Sequence, residues 1–176
     1  MNQQIFSTLG QNLQRYRTAK GLSLSQLAQN TGIAKSNLSR IEQGGGNPTL
    51  DTIWKLAIQL DVPFGSLVAS INTPLGHDGV QVKLIEQGTG VPQVDAYWMS
   101  CAPNTVRQSE AHSIGSTETV MVISGQLEAG NNGATQILKP GDSITFPADK
   151  PHIFKTTDLW STHIVTVTYA PKEQQA

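Results

Sequence analysis

The spacing of apolar residues changes once along this 176-residue chain, and a single uniform architecture cannot accommodate that change. Up to about residue 69 the apolar positions recur at helical spacing, as Ile5, Leu9, Leu13 and Tyr16 do. From Val80 onward they fall into short β-rich runs between Gly, Pro and Asn turns. Examples are 80–85, 94–101, 118–123, 143–146 and 162–169. Between the two patterns lie Asn72-Thr73-Pro74 and Gly76-His77-Asp78-Gly79, which are turn and loop signals. The expected organisation is a helical domain over 1–69, a linker over 70–79, a β domain over 80–170 and a frayed tail over 171–176.

The helices of the first part carry their own punctuation. Gly21 stops the first. Ser23 and Gln26 fit a capping box that opens the second, which carries Leu24, Leu27 and Ala28 inward and ends near Gly32. A third runs from after Ile33 to about Gln43, with Ala34, Leu38 and Ile41 as its apolar stripe and Gly44 to Gly46 as its stop. Pro48-Thr49 opens a fourth, with Leu50, Ile53, Trp54, Ala57 and Leu60 facing the core. A short fifth covers 64–68.

The net charge of −1 says nothing about partners, but its division does. Residues 1–69 hold six basic side chains against three acidic ones, a balance of +3; the remainder holds six against ten, a balance of −4. A basic head on an acidic body points to nucleic acid at the head. The single cysteine, Cys101, allows no intrachain disulfide. Its apolar strand context reads as a buried thiol. The first residues lack a secretory pattern, and no apolar run approaches bilayer length. A cytoplasmic location without membrane association is expected.

The stretch from Ser23 to Gly44, continued by Asn47-Pro48-Thr49-Leu50 to Ala57, resembles the phage-repressor-like helix-turn-helix family over roughly residues 7 to 68. That resemblance implies a five-helix, lambda-repressor-like DNA-binding domain whose third helix enters the major groove. It departs at Ala34, where a Ser or Thr N-cap is usual. Pointing away from the apolar stripe are Lys35, Ser36, Ser39 and Arg40, with Asn37 at the side. Arg40 can donate two hydrogen bonds to guanine, Asn37 can pair with adenine, and Ser36 is less selective. Gln26, Asn47 and Thr49 are candidate phosphate contacts. The bland alternative is a solvated helix face. One head makes few contacts, so a homodimer on double-stranded DNA is expected.

Two clusters in the second half resemble the motifs of the cupin superfamily. His112, Glu118 and Gly125 fit the first, but Glu110 stands where a His is usual and the gap to Glu118 is long. Gly141, Pro147 and His152 fit the second, with Asp149 in place of the usual Gly. The resemblance implies an all-β double-stranded β-helix, a jelly-roll barrel. His112, Glu118 and His152 would hold a divalent metal, zinc first, with iron, nickel or manganese also suited. Alternatively the trio is a hydrogen-bonded polar relic. Trp98, Glu110, Phe146, Phe154 and His163, with Trp160, are candidate walls of a small-molecule effector pocket. The function implied is a ligand-responsive, non-enzymatic transcription regulator. The competing reading is a metal-dependent dioxygenase or isomerase with an auxiliary DNA-binding head. A third, an antitoxin built on the same head, fits poorly because the tail is only a few residues.

Overall fold

The computed structural model describes residues 2–171 of the chain, with side chains from Gln4 onward. The predicted tail falls, beyond Pro171, outside the described residues. The chain divides into two compact units, Met1–Thr73 and Pro74–Ala176. Among the described residues, no helix is long and apolar enough to cross a membrane.

Among the described residues the first unit holds five helices: α1 (Asn2–Ala19), α2 (Leu24–Thr31), α3 (Lys35–Glu42), α4 (Leu50–Leu60) and α5 (Phe64–Val68). Their ends follow local chemistry. Ser23 Oγ accepts from Gln26 N while Gln26 Oε1 accepts from Ser23 N, a complete capping box on α2. Gly32 closes α2 in the left-handed region, at φ 68°. Leu27, Leu38 and Leu67 are fully buried at the centre, each worth about 2 kcal/mol. Trp54 stacks on Phe64 with ring centroids 4.4 Å apart.

Two features of the helical unit were not anticipated. Gly10, inside α1, sits where a Cβ would lie 2.4 Å from the Ile41 carbonyl oxygen. Helix α1 can lie this close to the end of α3 only because that side chain is missing. Beside this contact Arg17 reaches from α1 to Glu42 at the end of α3. Its Nε and Nη2 donate to the two carboxylate oxygens at 2.6 and 2.8 Å, and Nη1 donates to the Leu22 carbonyl at 2.7 Å. Arg17 therefore belongs to the interior and not to the basic surface counted from sequence. Ala34 is also corrected. It is the exposed N-cap of α3, makes no side-chain cap bond, and contributes nothing to the buried stripe of Leu38 and Ile41.

Among the described residues the second unit is built from nine antiparallel strands: β1 (Val80–Gln87), β2 (Val94–Cys101), β3 (Val106–Ser109), β4 (Thr117–Ser124), β5 (Leu127–Asn131), β6 (Ala134–Leu138), β7 (Ser143–Pro147), β8 (His152–Thr156) and β9 (Ser161–Thr168). They form a five-stranded sheet in the order β1-β2-β9-β4-β7 and a four-stranded sheet in the order β3-β8-β5-β6. Side chains alternate between faces. On β9 the alternation is complete, with Ser161, His163, Val165 and Val167 buried between half-exposed neighbours. The expected linker is shorter than its turn signals suggested. Leu75 is buried and exchanges two 2.7 Å backbone hydrogen bonds with Val82, which attaches residues 74–79 to the β unit.

The Arg17–Glu42 pair sets a stability prediction. Glu42→Ala leaves a buried guanidinium without its anion, which costs about 3 kcal/mol. Urea titration followed by helical circular dichroism should show that loss. A change under about 1 kcal/mol would mean the pair is solvated.

Candidate DNA-reading face and metal centre

Helix α3 presents a divided surface. Leu38 and Ile41 are buried, while Lys35, Ser36, Asn37 and Arg40 are exposed. Ser39 is half-buried and accepts from Gln43 Nε2 at 3.3 Å. The remaining head residues singled out from sequence have mixed roles. Asn47 is exposed. Gln26 is exposed, with its side-chain oxygen committed to the capping box. Thr49 Oγ1 caps α4, accepting from Thr52 N at 3.1 Å. Its hydroxyl first stabilises a helix end.

In the barrel, register brings the other candidates together. Glu118 on β4 lies opposite Phe146 on β7 and Val167 on β9. His152, at the start of β8, lies opposite Ser109 and Asn131. His112 follows β3 in a loop whose backbone is pinned to the β7–β8 turn. Its N–H donates to the Ala148 carbonyl, and Ala148 N–H donates to the Ser116 carbonyl, both at 2.8 Å. Asp149, the departure from the cupin motif, accepts from Gly115 N at 3.0 Å and ties the same two segments together.

The three side chains converge out of solvent: His112 is 7%, Glu118 3% and His152 1% exposed. Glu118 Oε2 is 3.3 Å from His112 Nε2 and 3.1 Å from His152 Nε2, and the three ligand atoms all lie within 4.8 Å of one another. Ligands bound at 2.0–2.1 Å around one tetrahedral ion stand roughly 3.3 Å apart, which the two carboxylate–imidazole spacings match. The protonation pattern agrees. His152 Nδ1 lies 3.0 Å from the Lys150 carbonyl. A carbonyl only accepts, so Nδ1 carries the hydrogen and the Nε2 lone pair of the neutral ring faces Glu118. Two acceptors then face each other, and a cation must lie between them, either a proton or a metal. Glu118 Oε2 is buried and has no hydrogen bond of standard geometry, so a shared proton or a metal ion is what would satisfy it.

The electrostatics follow. Burial pushes the Glu118 carboxyl up, but the two imidazoles outweigh it and hold the pKa at about 2. Burial pushes His152 down, and Glu118 more than restores it, raising its pKa. His163, on β9, is completely buried and stacks on Phe154 at 5.7 Å. Burial pushes its pKa down to about 4, with only partial relief from Glu118.

The proposed cavity walls divide. Phe146, Phe154 and His163 are buried; Phe146 and Phe154 lie 5.4 and 5.8 Å from the His152 ring. Trp98 is corrected: Tyr97 and Met99 take the inward positions on β2, so Trp98 points out of the sheet. Glu110 is exposed beyond the end of β3, and Trp160 is 54% exposed in the turn before β9. Sequence reading missed Asp95, which is fully buried. It accepts from Tyr97 Oη at 3.0 Å, Gln93 Nε2 at 3.0 Å and Gly88 N at 3.2 Å. Its strand alternation with Tyr97 was the available signal. Cys101 is buried, and burial pushes its thiol up to about 11. The thiol is inert.

A helix-turn-helix head and a barrel enclosing a two-His, one-Glu cluster define a two-domain regulator architecture. Comparison with known proteins agrees. The helix-turn-helix family model matches residues 13–67 and the cupin domain model residues 97–168. The chain is 31% identical over 170 residues to the HTH-type transcriptional regulator SutR of Escherichia coli K12, covering 93% of this chain and 96% of that protein. It is 23% identical over 171 residues to the HTH-type transcriptional regulator PuuR of the same strain, covering 89% and 92%. A crystal structure of an HTH_3 family transcriptional regulator from Vibrio cholerae superposes with a TM-score of 0.86 at 23% identity, covering 97% of this chain and 100% of that one, and so shares the fold. This chain belongs to the helix-turn-helix transcriptional regulators that carry a cupin domain.

The shift at His163 has a measurable consequence. The unfolded chain takes up this proton near pH 6.5 and the folded barrel only near pH 4. The neutral ring's contribution is complete above pH 6.5 and is lost as pH falls towards 4, by about 3 kcal/mol. Comparing urea midpoints of wild type and His163→Leu from pH 7 to 4, the wild type should lose stability faster. Parallel curves would show that His163 titrates normally.

Proposed function

We propose that this protein binds an operator in double-stranded DNA as a homodimer and that its barrel binds a small-molecule effector. The observation that carries the DNA half is the division of α3, whose buried Leu38 and Ile41 fix the helix while Lys35, Ser36, Asn37 and Arg40 stand free. In this reading Arg40 and Asn37 meet base edges, Lys35, Ser36 and Ser39 flank them, and Gln26, Asn47 and Thr49 lie at the phosphates. A cytoplasmic location follows from a DNA target.

In the barrel, His112, Glu118 and His152 would hold a divalent ion, zinc first, with iron, nickel or manganese as alternatives. Three protein ligands leave coordination positions open, and a bound ion would supply Lewis acidity there. A chelating organic acid or amino acid suits those positions, with Phe146, Phe154 and His163 around its remainder. Such an effector changes DNA affinity only through its different affinity for the two states of the protein. The same two-His, one-carboxylate set also occurs in non-haem iron oxygenases. Oxygen consumption by the Fe(II)-loaded protein across small acids and thiols distinguishes a dioxygenase from a sensor.

Arg40→Ala should weaken binding to the wild-type operator by about 1–3 kcal/mol and relax preference at one base pair. Fixed-salt titrations against operator variants selected from a random pool measure this. Equal affinity of wild type and variant for all sequences contradicts the reading.

A further inference from the structure

A guanidinium occupies an inward strand position one step along the barrel from the His112–Glu118–His152 cluster. On β3 inward and outward positions alternate, and Ser109 is buried opposite His152. Arg107, two residues earlier, shares that inward row and stands directly opposite the buried Phe154. Two residues of strand place it roughly 7 Å from the level of His152. Arginine is mostly a surface residue, so an inward strand position is an unusual place for it. Arg107 is half-buried, and β3 is an edge strand, so its row leads from the dry interior to solvent. Its charge also reaches the other sheet. Burial pushes the Cys101 thiol, at the end of β2, up to about 11, and the Arg107 charge opposes that rise.

His163 arrives at the same level from β9. Its ring stacks on Phe154 with centroids 5.7 Å apart and planes 12° from parallel. Nδ1 lies 3.4 Å from Ser161 Oγ. Nε2 is buried and has no hydrogen-bond partner among the described residues. A polar atom buried in that way is costly, and a ligand atom at this position removes the cost. When the Ser161 hydroxyl donates to Nδ1, the hydrogen of the neutral ring is on Nε2, which then donates. Phe154 thus has an arginine beside it on one side and an unsatisfied imidazole nitrogen against its ring.

We infer that Arg107 and His163 form an oxyanion subsite inside the barrel, which takes a carboxylate of the small molecule bound there. The guanidinium carries five donors in a planar fork that matches the two oxygens of a carboxylate. The Nε2–H of His163 supplies a further donor, and Phe154 supplies an apolar wall for the adjoining carbon chain. A carboxamide of the same shape is neutral and offers a single acceptor oxygen, so the subsite separates an acid from its amide. The inference rests on the small-molecule reading proposed above and deepens it. The group at Arg107 is distinct from any group held at His112, Glu118 and His152, because the two levels are one strand step apart. A ligand that engages both has two acid groups on a short carbon chain.

The test is calorimetric titration of the full chain, both EDTA-treated and zinc-loaded, with succinate, glutarate and adipate and with their diamides. At least one acid should bind about tenfold more tightly than its diamide. Arg107→Gln should weaken that acid about tenfold or more. Arg107→Lys keeps the charge without the fork and should lose less. His163→Leu, which removes the Nε2 donor, should weaken it severalfold. Gln108→Ala, exposed and facing outward on the same strand, should leave it unchanged. Circular dichroism checks each fold, and if Arg107→Gln does not fold, Arg107→Lys and His163→Leu decide. Wild type that binds none of the three acids more tightly than its diamide overturns the inference. So does an acid whose affinity is the same in wild type and in the folded Arg107 and His163 variants. Acid binding that survives EDTA and is lost in Arg107→Gln supports the subsite and counts only against the metal. Acid binding through Arg107 that leaves operator affinity unchanged supports the subsite and sinks only the effector role.

Discussion

A carboxylate at 3% exposure, with the Nε2 atoms of two imidazoles turned towards one of its oxygens, demands a cation. The barrel is arranged around that demand. Strand register places Glu118 in the same inward row as Phe146 and Val167. The Lys150 carbonyl fixes the tautomer of His152, and the Ala148–Ser116 ladder holds the His112 loop against the β7–β8 turn. Each contact sets the direction of a ligand atom.

The head contains the instructive contrast. Glu42 is also nearly buried, yet both of its oxygens are taken by one guanidinium in a bidentate pair. Nothing further is needed, and the pair locks α1 to the end of α3. At Glu118 the partners are aromatic nitrogens that accept as readily as they donate. One buried carboxylate is a closed structural joint; the other faces two imidazole nitrogens in a group that could hold a metal ion. Burial and charge are alike in both, and the chemistry of the neighbours separates them.

Much of this was legible in the sequence because it is local. The capping box at Ser23 and Gln26, the glycine stops and the period-two strands need only neighbouring residues. The convergence of His112, Glu118 and His152 was legible through motif spacing, although the two motifs depart at Glu110 and Asp149. What was not legible depends on contacts between distant segments or on the phase of a local pattern. Arg17 entered the sequence reading only as one basic charge of the head, because its partner is 25 residues away. Trp98 and Phe146 are both strand aromatics, and only the alternation with Tyr97 and Met99 turns Trp98 outward. Ala34 matched helical spacing but falls at the cap, one position before the helix begins. The segment 74–79 carries turn residues, yet Leu75 pairs with Val82 and is drawn into the barrel.

The two halves of the protein thus meet different physical requirements: a helix held rigidly so that its outer side chains are presented, and a buried cluster whose carboxylate faces two imidazole nitrogens. Native mass spectrometry of the freshly purified full chain tests the second requirement, on which the sensing role depends. One divalent ion per chain, absent from Glu118→Gln, is the predicted result. A wild-type chain that carries no ion, and takes up none when zinc, iron, nickel and manganese are supplied in turn, would contradict it.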